Sequence, residues 1–192
     1  MRRLHKKMNI RIAKFEDLEI IVEIYNQAVA AGEKTADITP VTYDDRKKWF
    51  NSHTPDKYPI LVAEEAESIV GYLTISAYRP GRMALRHTAE VSFFIHFEHH
   101  SKGIASRLLR CAIDMCPSLQ IKTLFAILVD SNQNSIRLLA KYGFNKWGHM
   151  PRVAEFDRIE FGHLYYGLRI ENAINQGDPQ DLRFIPEKLR KT

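Results

Sequence analysis

Apolar and polar positions along the chain follow a pattern that predicts strands separated by amphipathic helices. One helix begins at Asp17 and is closed by Gly32, and another follows Gly103, each with apolar residues on one face. Two shorter helices are predicted at 43–51 and 135–142, and the first should carry Trp49 and Phe50 against the core. Brief β-branched and aromatic runs predict strands at 9–13, 58–64 and 69–77, one ending at Ile95, and others at 123–129, 144–150 and 161–170. A turn around Ala66 and Glu67 should join the strands at 58–64 and 69–77.

This mixture of helices between strands predicts an α/β (α+β) layer fold with a mixed central sheet and helices on both faces. The 192 residues allow one domain with a sizeable core. Hydrophobic residues at 45% and charged residues at 27% are ordinary for a soluble protein. No apolar run approaches the ~20 residues of a membrane span, so no membrane partner is expected.

The cellular compartment is inferred from the N-terminus and the cysteines. The first seven residues are basic, but no apolar segment with a cleavage site follows them, so we read no secretory signal. Cys111 and Cys116 lie five residues apart on a predicted helix, a spacing that disfavours a disulfide. A cytoplasmic location is therefore expected.

The net charge of +5 raises the question of a nucleic-acid partner. The 28 basic residues are spread along the chain among 23 acidic ones, whereas a nucleic-acid surface clusters them on one face. A polyanionic cofactor accounts for part of the excess equally well, and no nucleic-acid partner is expected. Among the eight histidines, His99 and His100 are adjacent, and no Cys-x-x-Cys pair accompanies them, so we expect no metal.

The stretch 90–109 reads as a strand, a basic loop and an amphipathic helix. In that arrangement the free amides of the loop and the first helical turn point at one place, where the helix dipole favours negative charge. Gly103 permits close backbone approach, and His100 and Lys102 add charge at the rim. The stretch therefore predicts a phosphate or pyrophosphate site. The alternative is that Gly103 only marks the start of the helix, as single glycines often do without binding a ligand.

The amino-acid sequence of this loop resembles a family signature. His100-Ser101-Lys102-Gly103-Ile104-Ala105 is similar to the Arg/Gln-x-x-Gly-x-Gly/Ala signature with which the GNAT N-acetyltransferases hold the pyrophosphate of acetyl-CoA, with histidine in place of Arg or Gln. Further elements follow in the order of the phosphinothricin N-acetyltransferase-like branch: Gly71-Tyr72, Arg82-Met83-Ala84, Thr88-Ala89-Glu90, Asn132-Gln133-Asn134-Ser135 and Gly143-Phe144. The resemblance covers residues 8–170, which leaves a basic extension at 1–7 and a tail at 171–192.

The resemblance implies the GNAT fold, in which a bulged central strand splays from its neighbour so that pantetheine lies in the gap. Backbone groups freed in this way can bind the pantetheine amides and polarise the thioester carbonyl. The residues that the resemblance assigns to acetyl-CoA are Phe93, Phe94, Ile95, His100, Ser101, Lys102, Gly103, Ile104, Ala105, Asn132 and Ser135.

The implied reaction is direct transfer of the acetyl group to an amine, which needs a base. Glu90 matches the glutamate of the branch's Thr-x-Glu motif and is the expected base, the alternative being a surface carboxylate near Arg86 or His87. Leu139 stands where the superfamily often has tyrosine and this branch often has histidine to protonate the leaving thiolate. Tyr142, another nearby group or water remains open for that role.

Arg82 matches an arginine of the branch and is expected to bind an acceptor carboxylate. A small amino-acid-like amine is the first choice of acceptor, with other amines or a protein N-terminus behind it. The alternative function class is a non-catalytic acyl-CoA-binding sensor on the same fold. A homodimer is also expected, with its seam formed by Phe156, Phe161, Tyr165 and Tyr166, unless these side chains fill the core.

Overall fold

The computed structural model describes residues 8–170. The predicted extension at 1–7 and tail at 171–192 lie outside these residues. Seven strands form one mixed sheet in the order β1-β2-β3-β4-β5-β7-β6. The strands are β1 (Asn9–Ile12), β2 (Ile60–Glu65), β3 (Ser68–Ala77), β4 (Thr88–Ile95), β5 (Thr123–Val129), β6 (Asn145–Phe156) and β7 (Ile159–Arg169). Only β4 and β5 pair in parallel.

Within residues 8–170, four α-helices cover the two faces of the sheet, as the sequence predicts. They are α1 (Leu18–Ala30), α2 (Tyr43–Asn51), α3 (Ile104–Met115) and α4 (Gln133–Lys141). Alternate residues of the strands divide between two apolar clusters because the side-chain period of a strand is two. Leu73 and Ile75 of β3 face the cluster that contains α3, whereas Tyr72 faces the cluster that contains α1. No helix among residues 8–170 is long and apolar enough to cross a membrane.

Helix α2 matters because two of its residues, Arg46 and Trp49, line the central cleft that is described below. Its start is fixed by a capping box, in which the Asp45 amide donates to Thr42 Oγ1 at 3.2 Å and the Thr42 amide donates to Asp45 Oδ2 at 3.0 Å. Trp49 and Phe50 pack partly buried against the α1 cluster, as predicted. The helix is thereby held over the face of the sheet that β3 and β4 share.

The β6–β7 hairpin is longer than the sequence predicts. The strands were expected at 144–150 and 161–170, but pairing continues to Phe156↔Ile159 at the tip. Asp157 and Arg158 form the turn with φ of 47° and 68°. The intervening residues are mostly exposed, so no apolar alternation marks them as strand.

Candidate active site

The sheet is split between β4 and β5. The two strands pair over three positions only, Thr88↔Thr123, Ala89↔Leu124 and Glu90↔Phe125. Beyond Glu90, β4 continues to Ile95 alongside β3 while β5 pairs with β7. The predicted splay is therefore present. The predicted bulge is absent from the β3–β4 pairing, whose register runs without a shift from Ala77↔Ala89 to Gly71↔Ile95, so divergence of β4 from β5 opens the gap rather than an inserted residue.

The alternation of β4 determines which main-chain groups face this gap. The His96 amide donates to the Val70 carbonyl at 3.0 Å, and the Thr88 carbonyl accepts from the Tyr78 amide at 3.3 Å. Even-numbered residues of β4 therefore direct their backbone groups to β3, and odd-numbered residues direct theirs to the gap. This places the amides and carbonyls of Phe93 and Ile95 at the gap, while the main chain of Phe94 is directed to β3 and only its side chain is available to a ligand.

The start of α3 presents open amides. Gly103 caps the helix with φ of 78° and has no side chain to accept a hydrogen bond. The first intrahelical bond in this turn runs from the Arg107 amide to the Gly103 carbonyl at 3.1 Å, so the preceding amides of the turn have no helical partner. Ser101 also has a positive φ, 61°, a conformation that costs energy for a residue other than glycine. The loop is thus shaped to receive an anion on its backbone.

The two basic residues of the loop lie in different places. His100 Nε2 donates to the Ile95 carbonyl at 2.9 Å, and its ring packs edge-on against Phe97. The histidine therefore fastens the loop to the end of β4 and leaves Nδ1 for a ligand. Lys102 is exposed and lies outside both clefts described below, so it contributes charge from a distance.

Two adjoining clefts follow the split. The loop cleft, about 700 Å³, is bounded by the segment from Ile95 to Ser106 and by α4. The central cleft, about 470 Å³, lies against α2 and the facing parts of β3, β4 and β7. Both clefts share the side chains or backbone of Lys34, Phe93, Phe94, Asn132 and Ser135. A ligand can therefore run from the loop, past the open edge of β4, into the central cleft.

Asn132 and Ser135 lie at this junction because of their places in α4. Asn132 is the N-cap, and its side-chain oxygen accepts from the Ser135 amide at 3.3 Å. Asn132 and Ser135 line both clefts, and their role in binding the cofactor stays a prediction.

Glu90 lies at the point where β4 and β5 separate and lines the central cleft. Burial raises the pKa of its carboxyl. Arg86 donates to the Met83 carbonyl at 3.1 Å, and His87 Nδ1 donates to the Gln120 carbonyl at 2.7 Å. The Glu90 carboxyl forms no ion pair or hydrogen bond with another residue in the range 8–170. The alternative of a surface carboxylate paired with Arg86 or His87 is therefore not supported, and a desolvated carboxylate with a raised pKa is suited to general-base chemistry.

Arg82 is not brought to either cleft. It is exposed in the connection between β3 and β4, where it precedes a 3₁₀ turn. The motif match predicted that Arg82 binds an acceptor carboxylate, but the β3–β4 connection that carries it lies outside both clefts. Leu139 is buried and lines the central cleft, as its motif position implies. The Tyr142 hydroxyl is bonded to Ser106 Oγ at 2.7 Å and lines neither cleft, so nothing in the structure favours it as the proton donor.

Two cationic side chains, Lys34 and Arg46, line the central cleft, and the sequence prediction included neither of them. Arg46 is the one held by aromatic rings. Its guanidinium lies over the Tyr25 ring at 4.1 Å and over the Trp49 ring at 5.0 Å, and it is 3.6 Å from Asp37. The aromatic residues hold the charge in place with little desolvation cost. The available signal was its position on α2, three residues before Trp49, on a face already predicted to meet the core.

Three side chains that could ligate a metal ion lie just before the loop that leads into α3. His96, Glu98 and His99 place one ligand atom each within 4.8 Å of one another, the spacing that a metal ion requires. The same histidines also face carboxylates, His96 with Glu23 at 3.8 Å and His99 with Glu65 at 3.4 Å. Each histidine thus has a carboxylate neighbour, and the expectation that the protein binds no metal stays a prediction.

The split strands, the open helix start and the half-buried carboxylate define the enzyme class that the resemblance implied, an N-acetyltransferase. The model of the acetyltransferase (GNAT) family matches residues 21–144. The chain belongs to this family. The predictions of the family, the fold and the enzyme class are confirmed, while the roles of single residues stay predictions.

The relatives refine this placement. YwnH of Bacillus subtilis, provisionally named a phosphinothricin acetyltransferase, is 39% identical over 78% of this chain and 91% of its own length. The L-amino acid N-acyltransferase MnaT of Escherichia coli is 34% identical over 76% of this chain and 84% of its own. The crystal structure of a phosphinothricin acetyltransferase from Sinorhizobium meliloti in complex with acetyl-CoA covers 91% of this chain and 94% of its own, with 26% identity and a TM-score of 0.81.

Proposed function

We propose that the protein transfers the acetyl group of acetyl-CoA to the primary amine of a small amino-acid-like acceptor. The observation that carries the proposal is the position of Glu90, a desolvated carboxylate at the point where the sheet splits, in a cleft that also contains Arg46. The central cleft thus contains Glu90 as a base for the acceptor amine and Arg46 as a cation for the acceptor carboxylate. The names of the relatives, which include an L-amino acid N-acyltransferase and a methionine sulfoximine acetyltransferase, support the same acceptor class.

The fold fits acetyl-CoA as co-substrate, which supplies an activated acetyl group as a thioester. The open amides that begin at Gly103 would hold the pyrophosphate, and the gap-facing backbone of Phe93 and Ile95 would bind the pantetheine amides. Asn132 and Ser135 line the passage between the clefts. The acyl end then lies near Glu90.

In the reaction the amine nitrogen forms a bond to the acetyl carbon, the carbon–sulfur bond breaks, and the electron pair leaves with sulfur. Glu90 accepts the proton that the acceptor nitrogen loses, directly or through water. Because its pKa is raised, the carboxylate is a stronger base than an exposed glutamate. Leu139 cannot donate a proton, so the thiolate takes its proton from another cleft group or from water.

Thiol release from acetyl-CoA in the presence of a panel of amines tests the proposal. Amino acids and their close analogues should support turnover, and amines without a carboxylate should support less. Turnover with a protein N-terminal peptide alone would favour the alternative acceptor. Absence of turnover with every amine, in a protein that still binds acetyl-CoA, would favour the non-catalytic sensor.

Substitution of Arg46 by glutamine should selectively impair acceptors that carry a carboxylate. A charge-assisted hydrogen bond contributes about 1.5–3 kcal/mol, so kcat/KM for an L-amino acid should fall by roughly 10- to 100-fold. The decarboxylated amine should lose much less, since it has no group for Arg46 to bind. The measurement is kcat/KM for this pair of acceptors in wild type and variant.

Arg82→Gln is the matched comparison, because it removes the same charge from the exposed β3–β4 connection. It should leave the ratio between the two acceptors unchanged. A selective loss in Arg82→Gln but not in Arg46→Gln would restore the role that the motif assigned to Arg82.

We also propose a homodimer in the cytoplasm. Of the predicted seam residues, Tyr166 packs against the main core, Tyr165 lines the central cleft, and Phe156 and Phe161 pack edge-on against each other. Exposed apolar side chains lie instead on the β6–β7 hairpin at the edge of the sheet; they are Trp147, Met150, Val153 and Ile159. Cys111 and Cys116 are buried and form no disulfide within residues 8–170, which suits a reducing compartment. Light scattering should give twice the monomer mass at micromolar concentration, and a monomer mass would reject the dimer.

A further inference from the structure

Ser76 lines the central cleft, and its hydroxyl is paired with His53, which lies behind it and has no role yet in the proposed reaction. His53 follows α2, and its Nδ1 lies 2.9 Å from the Trp49 carbonyl oxygen. Its Nε2 lies 2.9 Å from Ser76 Oγ. The ring also packs edge-on against the Trp49 ring at 4.9 Å, so its orientation is fixed by three contacts.

The direction of both hydrogen bonds follows from their chemistry. A carbonyl oxygen can only accept, so His53 Nδ1 carries the proton and donates to Trp49. Burial lowers the pKa of His53 and keeps the ring neutral, which leaves Nε2 without a proton. Ser76 must therefore donate its hydroxyl proton to Nε2. The serine oxygen then presents only lone pairs to the cleft.

Ser76 is the cross-strand partner of Glu90 in the β3–β4 ladder. Directly opposed residues in an antiparallel pair project from the same face of the sheet, so both side chains enter the central cleft together. The cleft therefore offers two neighbouring acceptors, one carboxylate and one hydroxyl oxygen with fixed polarity. An amine brings more than one N–H and can satisfy both, whereas a hydroxyl has one proton and can satisfy only one.

We propose that Ser76 binds the acceptor amine through an N–H donated to Oγ, and that His53 is a positioning residue that fixes this polarity. Ser76 then orients the nitrogen while Glu90 takes its proton, which aims the lone pair at the acetyl carbon. The proposal rests on the proposed acetyl transfer and adds the residues that select an amine. It also accounts for the location of His53, which has no part in the cofactor loop.

The test is steady-state kinetics with acetyl-CoA and the best amine acceptor. Ser76→Ala should lower kcat/KM for the amine about tenfold or more, since a hydrogen bond to the reacting nitrogen is lost. His53→Phe keeps an aromatic ring beside Trp49 but removes the acceptor for the serine proton, and should cause a loss of similar size. KM for acetyl-CoA should not change in either variant, and Ser76→Thr, which keeps the hydroxyl, should restore most of the activity.

The double variant separates positioning from a general structural effect. If His53 acts only through Ser76, adding His53→Phe to Ser76→Ala should cause no further loss. Ser52→Ala is the matched control, because Ser52 Oγ donates to the same Trp49 carbonyl at 2.6 Å from outside the clefts, and it should retain wild-type kinetics.

Wild-type kcat/KM in Ser76→Ala, or losses that add in the double variant, would overturn the proposal while leaving the proposed function intact. If His53→Phe does not fold, the contrast between Ser76→Ala and Ser76→Thr decides. A wild-type protein that turns over no amine would refute both the function and this proposal.

Discussion

Glu90→Gln is expected to lower kcat by ~10²–10⁴-fold while affinity for acetyl-CoA barely changes, because a general base contributes about that much to the rate. Glutamine keeps the shape and the hydrogen-bonding capacity of the side chain but cannot accept the ammonium proton. The cofactor is assigned to backbone amides and the loop rather than to this carboxylate. The measurement is kcat from thiol release together with the acetyl-CoA dissociation constant from calorimetry.

The pH dependence gives an independent check on the same residue. Glu90 works as a base in its ionised form, so wild-type kcat/KM should fall as pH drops through the raised pKa of this carboxyl. Raising the pH should partly rescue Glu90→Gln, since more of the acceptor amine is then already neutral. The same variant should unfold at a higher temperature at pH 7 to 9, because the wild-type carboxylate is ionised there in a desolvated site without a described partner.

Glu19→Gln, on the exposed side of α1, is the control and should alter neither turnover nor its pH profile. A Glu90→Gln enzyme with wild-type turnover from pH 6 to pH 9 would refute the catalytic role. In that case the carboxylate would be a structural feature of the cleft, and the sensor alternative would gain support.

Local patterns in the sequence predict most of the helices and strands. Helix α2 has the predicted bounds, Tyr43–Asn51, because a Thr42–Asp45 capping box marks its start. The turn between β2 and β3 lies at the predicted Ala66 and Glu67, both with positive φ. The tip of the β6–β7 hairpin was missed because Asp157 and Arg158 form it without glycine or asparagine, so the residues that usually mark such a turn are absent.

Asn132 and Ser135, at the start of α4, could be located by their motif. The open amides proposed to hold the pyrophosphate could be located because they belong to one contiguous stretch of strand, loop and first helical turn. The acceptor side could not, because Arg46, His53 and Ser76 come from separate elements and meet only through the packing of α2 on the sheet. Arg82 shows the converse error, since a motif gives the order of residues along the chain but not the path of the connection that carries them.

Gly103→Val is expected to remove most of the stabilisation that acetyl-CoA gives to the wild-type protein. Ligand that binds only the native state stabilises it by about 2.7 kcal/mol at a hundredfold excess over Kd, which is measurable as a rise in Tm. Gly103 has φ of 78°, a conformation that a β-branched residue adopts only with strain, and an added Cβ meets no protein atom within 4 Å. The loop must therefore move, and its amides no longer converge on the pyrophosphate.

Gly81→Val separates this effect from backbone strain alone. Gly81 has φ of 82° and equally open surroundings, but it lies in the β3–β4 connection outside both clefts. Both variants should lower Tm without ligand by a similar amount, since each places valine in the left-handed region. Only Gly103→Val should lose the further rise in Tm on addition of acetyl-CoA. An undiminished rise in Gly103→Val would show that the pyrophosphate does not bind at the start of α3.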